Sequence, residues 1–210
     1  MKKFLKNLTL GVTAGICIGI GTITYLLITN KLLGAFVFAF GLFLVCTYEL
    51  KLCTGMAGYL FSDKNTNGFI AAAMGNVVGM SFMFCLAKLC NENIILAARK
   101  VFNTKLTMLP HQLFVSALFC GMLMFIAVDI YKFSAEDSML QRLSGIFLAV
   151  PCFILNSFDH CVVTVFYIFT ASTIIEVLQG LHIFAIVMIG NFVGAIIANI
   201  LFDKVHRWRV

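Results

Sequence analysis

The pentapeptide Gly75-Asn76-Val77-Val78-Gly79 returns more than a hundred residues later as Gly190-Asn191-Phe192-Val193-Gly194. Each copy follows an apolar stretch interrupted by polar residues, Glu49, Lys51 and Thr54 before the first and Asp159 and His160 before the second. A chain that repeats both an interrupted apolar segment and its sequel is constrained to a duplicated architecture. Two broken membrane spans that meet near the bilayer midplane build a polar path there, which is how duplicated transport proteins are made.

The composition supports a membrane setting. Apolar residues make up 61% of the chain and charged ones 11%, a ratio that a soluble domain of this length does not hide in one core. Six apolar blocks lie at roughly 8–29, 33–61, 68–90, 112–130, 144–170 and 181–202, each long enough for a helical span of about 20 residues. The second and fifth are the interrupted ones. Three blocks precede the polar segment from Asn91 to His111 and three follow it, so the second half enters the membrane inverted relative to the first. The expected fold is therefore all-α: six transmembrane helices in two inverted three-helix repeats, about 8–90 and 112–202, within one domain spanning 1–210.

An even number of spans puts both termini on one side. Lys2, Lys3 and Lys6 at the start agree with Lys204, Arg207 and Arg209 at the end, which the positive-inside rule assigns to the cytoplasm. Lys64, Lys132 and Arg142 then fall inside, and Lys31, Arg99, Lys100 and Lys105 outside. Trp208 suits an interfacial anchor, and the short loops suit a bacterial inner membrane. The first apolar run is too long for a signal peptide and is read as the first span.

Eight cysteines are scattered through apolar segments without a C-x-x-C pair, so neither a thiol oxidoreductase nor a metal site is expected, and they read as small packing residues. There is no P-loop to power ATP-driven transport. No cofactor, metal or nucleic acid is called for.

A break in a span frees amides and carbonyls that hydrocarbon cannot satisfy, so the breaks expected near Cys53–Gly55 and Ser157–His160 should line a cavity or be covered by protein. Asn76 and Asn191 suit that need, since a carboxamide within a span requires partners and can hold backbone opened by a neighbouring break. Glycines in the first span and in both motif copies permit close helix approach. Lys51 is expected to pair with Glu49 or Asp159, or to attract anions to one mouth of a pore. His111 and His182 fall near span ends and suit an interface.

Lys51-Leu52-Cys53-Thr54-Gly55-Met56 resembles the E-L-F-T-G-N signature of the formate/nitrite transporter family, and Phe158-Asp159-His160-Cys161-Val162-Val163-Thr164-Val165-Phe166 resembles its F-E-H-S-I-A-N-M-F. The resemblance implies an aquaporin-like helical pentamer with a pore for small monovalent anions in each protomer. Thr54 and His160 match the positions that face each other at the central site. Phe38 and Phe153 match aromatic constrictions, with Leu42 and Leu52 as apolar lining. Cys53 replaces a gating phenylalanine, Lys51 an acid, Met56 an asparagine, Gly121 a fourth-span asparagine and Ser157 a glycine.

The expected function is passive or proton-linked passage of formate, nitrite or hydrosulfide. Desolvating an anion costs at least several kcal/mol, which the Thr54 hydroxyl, half-helix amides and an imidazole N–H reduce. His160 adds a group whose ordinary pKa of about 6.5 lies in the physiological range. The alternative is a channel for small neutral solutes, which Cys53 and Gly121 would favour by relaxing the pore.

Overall fold

The computed structural model describes residues 1–60, 66–134 and 138–207. Lys64, Trp208 and Arg209 lie outside the described residues, as do the side chains of Lys204 and Arg207. The described residues form α1 (Lys2–Leu27), α2 (Lys31–Thr47), α3 (Cys53–Ala57), α4 (Thr66–Cys90), α5 (Glu92–Leu106), α6 (Pro110–Phe133), α7 (Met139–Leu155), α8 (Cys161–Ile168) and α9 (Ile174–Arg207).

Four helices, α1, α4, α6 and α9, are long and apolar enough to cross a membrane, which needs about 20 residues. The two interrupted blocks are helix pairs: a 17-residue helix followed by a short one, α2 with α3 and α7 with α8. The packing repeats in the same order. In the first half α1 lies on α4, in the second α6 lies on α9, and α2 and α7 meet between them. Gly75 and Gly79 bring α4 against the α1 backbone, and Gly190 and Gly194 bring α9 against α6.

Both breaks are built the same way. The Glu49 amide donates to Cys46 O (3.2 Å) and the Leu50 amide to Val45 O (2.8 Å). In the second half Ser157 donates to Ile154 O (3.0 Å) and Phe158 to Phe153 O (2.9 Å). Each is a Schellman closure, with the residue after the cap in the left-handed region: Glu49 at φ 51° and Ser157 at φ 57°. The first break therefore falls at Tyr48–Leu52, ahead of the expected Cys53–Gly55. Those residues are instead the first turn of α3, because the closure sets the break where α2 ends.

A serine in the left-handed region costs about 1 kcal/mol relative to glycine. Ser157→Gly is expected to raise the thermal transition of detergent-purified protein by about 2–4 °C. No change would mean that the Ser157 side chain offsets its own strain.

The segment from Asn91 to His111, expected only as a polar connection, contains α5. The Asn91 side chain caps it, and Ile94, Ala98 and Phe102 bury one stripe. Its neighbour α6 starts with Pro110, and Gln112 Oε1 accepts the Leu109 amide at 3.0 Å.

Candidate functional site

Neither short helix has a side-chain cap of its own. Each is capped instead by a motif asparagine from the helix that follows. Asn76 Oδ1 accepts the Cys53 amide at 2.8 Å, while its Nδ2 donates to Gly11 O (2.9 Å) and Lys51 O (2.8 Å). Asn191 does the same in the second half: its Oδ1 accepts the Cys161 amide at 2.8 Å, and its Nδ2 donates to Ala117 O (2.8 Å) and Asp159 O (2.7 Å). Each carboxamide thus ties a half-helix, the extended backbone before it and a neighbouring long helix together. Both residues are fully buried and line neither of the cavities described below.

The clasped half-helices bring their opening residues together. Thr54 Oγ1 lies 3.2 Å from His160 Nε2, with both residues buried. The imidazole lies nearly parallel to the Phe153 ring, with centroids 6.2 Å apart. Phe153 in turn meets Phe38 edge-on at 5.9 Å. The other imidazole nitrogen, His160 Nδ1, is buried and has no hydrogen-bond partner among the described residues. Such a group is costly in a closed core and marks a place where a ligand or solvent completes the set.

Two cavities approach this point and share no lining residue. The larger, about 520 Å³, reaches His160, Phe38 and Phe153 and carries Lys31, Lys100 and Lys105. The smaller, about 310 Å³, reaches Leu52 and Gly55 and carries Glu49, Lys51 and Lys132. They lie at opposite ends of α2, Phe38 facing one and Val45 the other, about 10 Å apart along the axis. Between them stand Leu42, Cys53 and Thr54, all buried and lining neither.

Asp159 does not pair with Lys51. Its Oδ1 lies 2.7 Å from Lys105 Nζ, and its Oδ2 accepts the Ser116 hydroxyl at 2.7 Å. Ser116 Oγ also accepts the Asp159 amide (3.0 Å), and Lys105 Nζ reaches Ser157 O at 3.4 Å. Lys51 belongs to the other break, lines the smaller cavity beside Glu49, and makes no ion pair among the described residues. The expected pairing with Asp159 fails because the two breaks face different cavities.

The family profile described as formate/nitrite transporter matches residues 1–203. The chain belongs to the formate/nitrite transporter family. It is accordingly an integral membrane transport protein and not an enzyme. A solved structure described as a pentameric formate channel with formate bound superposes with a TM-score of 0.76 at 23% identity, covering 99% of this chain and 97% of that one. An ion channel of the formate/nitrite transporter family superposes with a TM-score of 0.70 at 16% identity, covering 98% and 88%. At these identities the likeness speaks for the fold. No curated protein sequence matches the chain.

Two departures from the formate/nitrite transporter signatures read differently in three dimensions. A Cβ at Gly121 would overlap the backbone of Asn191, whose C and Cα would lie 2.7 Å from it. No side chain fits there, so Gly121 does not relax a pore, and the polar group that α6 offers the second break is Ser116. Cys53 is enclosed beside Thr54, with its amide held by Asn76.

Sequence reading missed the part played by α5 in this formate/nitrite transporter. Ala97, Lys100, Val101, Thr104 and Lys105 face the larger cavity. The signal was present, since Ile94, Ala98 and Phe102 recur at helical spacing after a capping asparagine. A search for span-length apolar windows passes over it.

Proposed function

We propose that this chain is a channel for small monovalent anions, with formate, nitrite and hydrosulfide as the candidate substrates and Thr54 and His160 as its central site. The observation that carries the reading is the unpartnered Nδ1 of His160 at the inner end of the lysine-bearing cavity. An anion drawn in by Lys31 and Lys100 loses water in stages and passes Phe38 and Phe153. It meets imidazole and hydroxyl donors where hydrocarbon supplies none, which lowers a desolvation cost of several kcal/mol. A histidine at that point can also hand a proton to the passing anion, giving passive or proton-linked passage. Lys51 and Lys132 attract anions on the other side, and Leu42, Leu52 and Cys53 narrow the path between.

The proposed topology is six spans in two inverted repeats, about 8–90 and 112–202, within one domain. The second span is α2 with α3 and the fifth α7 with α8, an aquaporin-like plan with both termini in the cytoplasm of a bacterial inner membrane. Assembly as a homopentamer is proposed from the pentameric relative.

The test is uptake of formate, nitrite and hydrosulfide into proteoliposomes, with glycerol as the neutral control, for the wild type and His160→Ala at pH 5 and pH 8. Anion uptake at least about tenfold slower in His160→Ala, with a weakened response to pH, is expected. Glycerol passage without anion uptake would instead favour a channel for neutral solutes. Anion uptake indifferent to His160 would remove it from the mechanism.

A further inference from the structure

Helix α5 is fastened to the two ends of the half-helix α8, and only one fastening belongs to the site described so far. Before α8, Lys105 holds Asp159 and Ser157 O. Beyond α8, Arg99 sets its two terminal guanidinium nitrogens on the Glu176 carboxylate, each at 2.7 Å, and its Nη1 also donates to Thr170 O at 3.0 Å. Glu176 stands in the first turn of α9, where its Oε2 also accepts the Ser172 amide at 2.7 Å. The guanidinium carbon lies 5.8 Å from the centre of the Phe102 ring.

The helical geometry of α5 makes the Arg99 fastening matter. At about 100° per residue, Ile94, Ala98 and Phe102 form one narrow buried stripe, with Ala97, Val101 and Thr104 on one flank and Arg99 on the other. The cavity is on the first flank. A 15-residue helix is marginal on its own, so what keeps α5 from rolling is its contacts with α1, α4, α8 and α9. A bidentate guanidinium–carboxylate pair resists that roll because it fixes orientation as well as distance.

We propose that Arg99 and Glu176 are a positioning pair for the lysine-lined cavity, holding the roll of α5 so that Lys105 stays on Asp159 and Lys100 and Thr104 stay turned to the cavity. The functional part of this assignment rests on the anion reading above. Neither residue of the pair lines the cavity, so they act through α5 and not by touching the anion.

The experiment compares wild type, Arg99→Gln, Lys105→Gln and the exchanged pair Arg99→Glu/Glu176→Arg in two measurements. The first is the concentration dependence of formate uptake into proteoliposomes. The second is hydrogen–deuterium exchange of peptides covering 99–106 and 156–161. Arg99→Gln is expected to raise the half-saturating formate concentration roughly fivefold, in the direction of Lys105→Gln. It should also speed exchange in both peptides together, and the exchanged pair should recover part of each change. If Arg99→Gln lowers only the maximal rate and leaves half-saturation untouched, the pair merely supports the fold and the proposal fails. If the wild type passes no anion, the channel reading fails. The exchange data then decide the pair alone: faster exchange confined to 99–106 overturns it, and coupled exchange at 156–161 upholds it.

Discussion

Asn191→Leu is expected to lower the stability of the purified protein by about 2–5 kcal/mol, enough to remove most of the folded pool during extraction. The substitution keeps the branching of the side chain but leaves the Cys161 amide without its acceptor and takes the carboxamide donor from the Ala117 and Asp159 carbonyls. A hydrogen bond within a membrane protein contributes on average about 0.6 kcal/mol and up to about 1.7, so three lost at one buried point give the stated range. Thr22→Val is the control. Thr22 is equally buried, but among the described residues its hydroxyl bonds only Ile18 O within its own helix, so its loss should change stability by less than about 1 kcal/mol. Thermal unfolding in detergent, followed by size-exclusion elution, measures both. An Asn191→Leu protein as stable as Thr22→Val would mean that water or relaxation satisfies the break and that the asparagine is not its clasp.

The second large effect is expected at Gly121→Ala. The added methyl would overlap the Asn191 backbone, and backbone cannot swing aside as a side chain can. Helices α6 and α9 must separate, at a cost of about 1–3 kcal/mol for overpacking, and the separation carries the Asn191 carboxamide away from Cys161. Gly34→Ala makes the contrast. Its methyl would meet a Tyr25 ring carbon at 3.1 Å, a neighbour able to yield, so little change is expected. If the two variants unfold at the same temperature, close approach of α6 and α9 is not what places the clasp. An asparagine at position 121, as family resemblance suggested, should be tolerated less well than alanine.

What the sequence disclosed here was the part written in local repetition. The two Gly-Asn motifs announced a duplicated break, and the need of a buried carboxamide for partners pointed to Asn76 and Asn191 as the residues that hold it. Phe38 with Phe153, and Thr54 with His160, stand in contact at positions assigned through motif resemblance. What stayed hidden depends on distance. Asp159 finds Lys105, 54 residues earlier, and Ser116, 43 residues earlier, and nothing in the spacing of Asp159 and Lys51 excluded the wrong pairing. The first break was displaced for a related reason. The interruption was expected near Cys53–Gly55, whereas the chain turns at Glu49, a residue with no preference for the left-handed region, because the Schellman closure and the Asn76 clasp impose the turn from outside. Helix α5 was legible in principle and passed over because its apolar stripe is narrow.

The placement of each clasp in the helix after its break has a consequence for how the chain is made. Asn76 follows Cys53 by 23 residues and Asn191 follows Cys161 by 30. At about 5–20 residues per second of synthesis, each half-helix waits on the order of seconds with its leading amide unclaimed. A short apolar helix with an orphaned amide has no stable resting place in hydrocarbon, so it must shelter at the insertion machinery or the interface until the next long helix arrives. Each half of the protein is therefore expected to enter the bilayer in two stages: long helices first, half-helix afterwards. A nascent chain halted before residue 76 has left the ribosome, but after the Cys53 segment has, should leave that segment open to water-soluble thiol reagents, and one halted with residue 76 well clear should not.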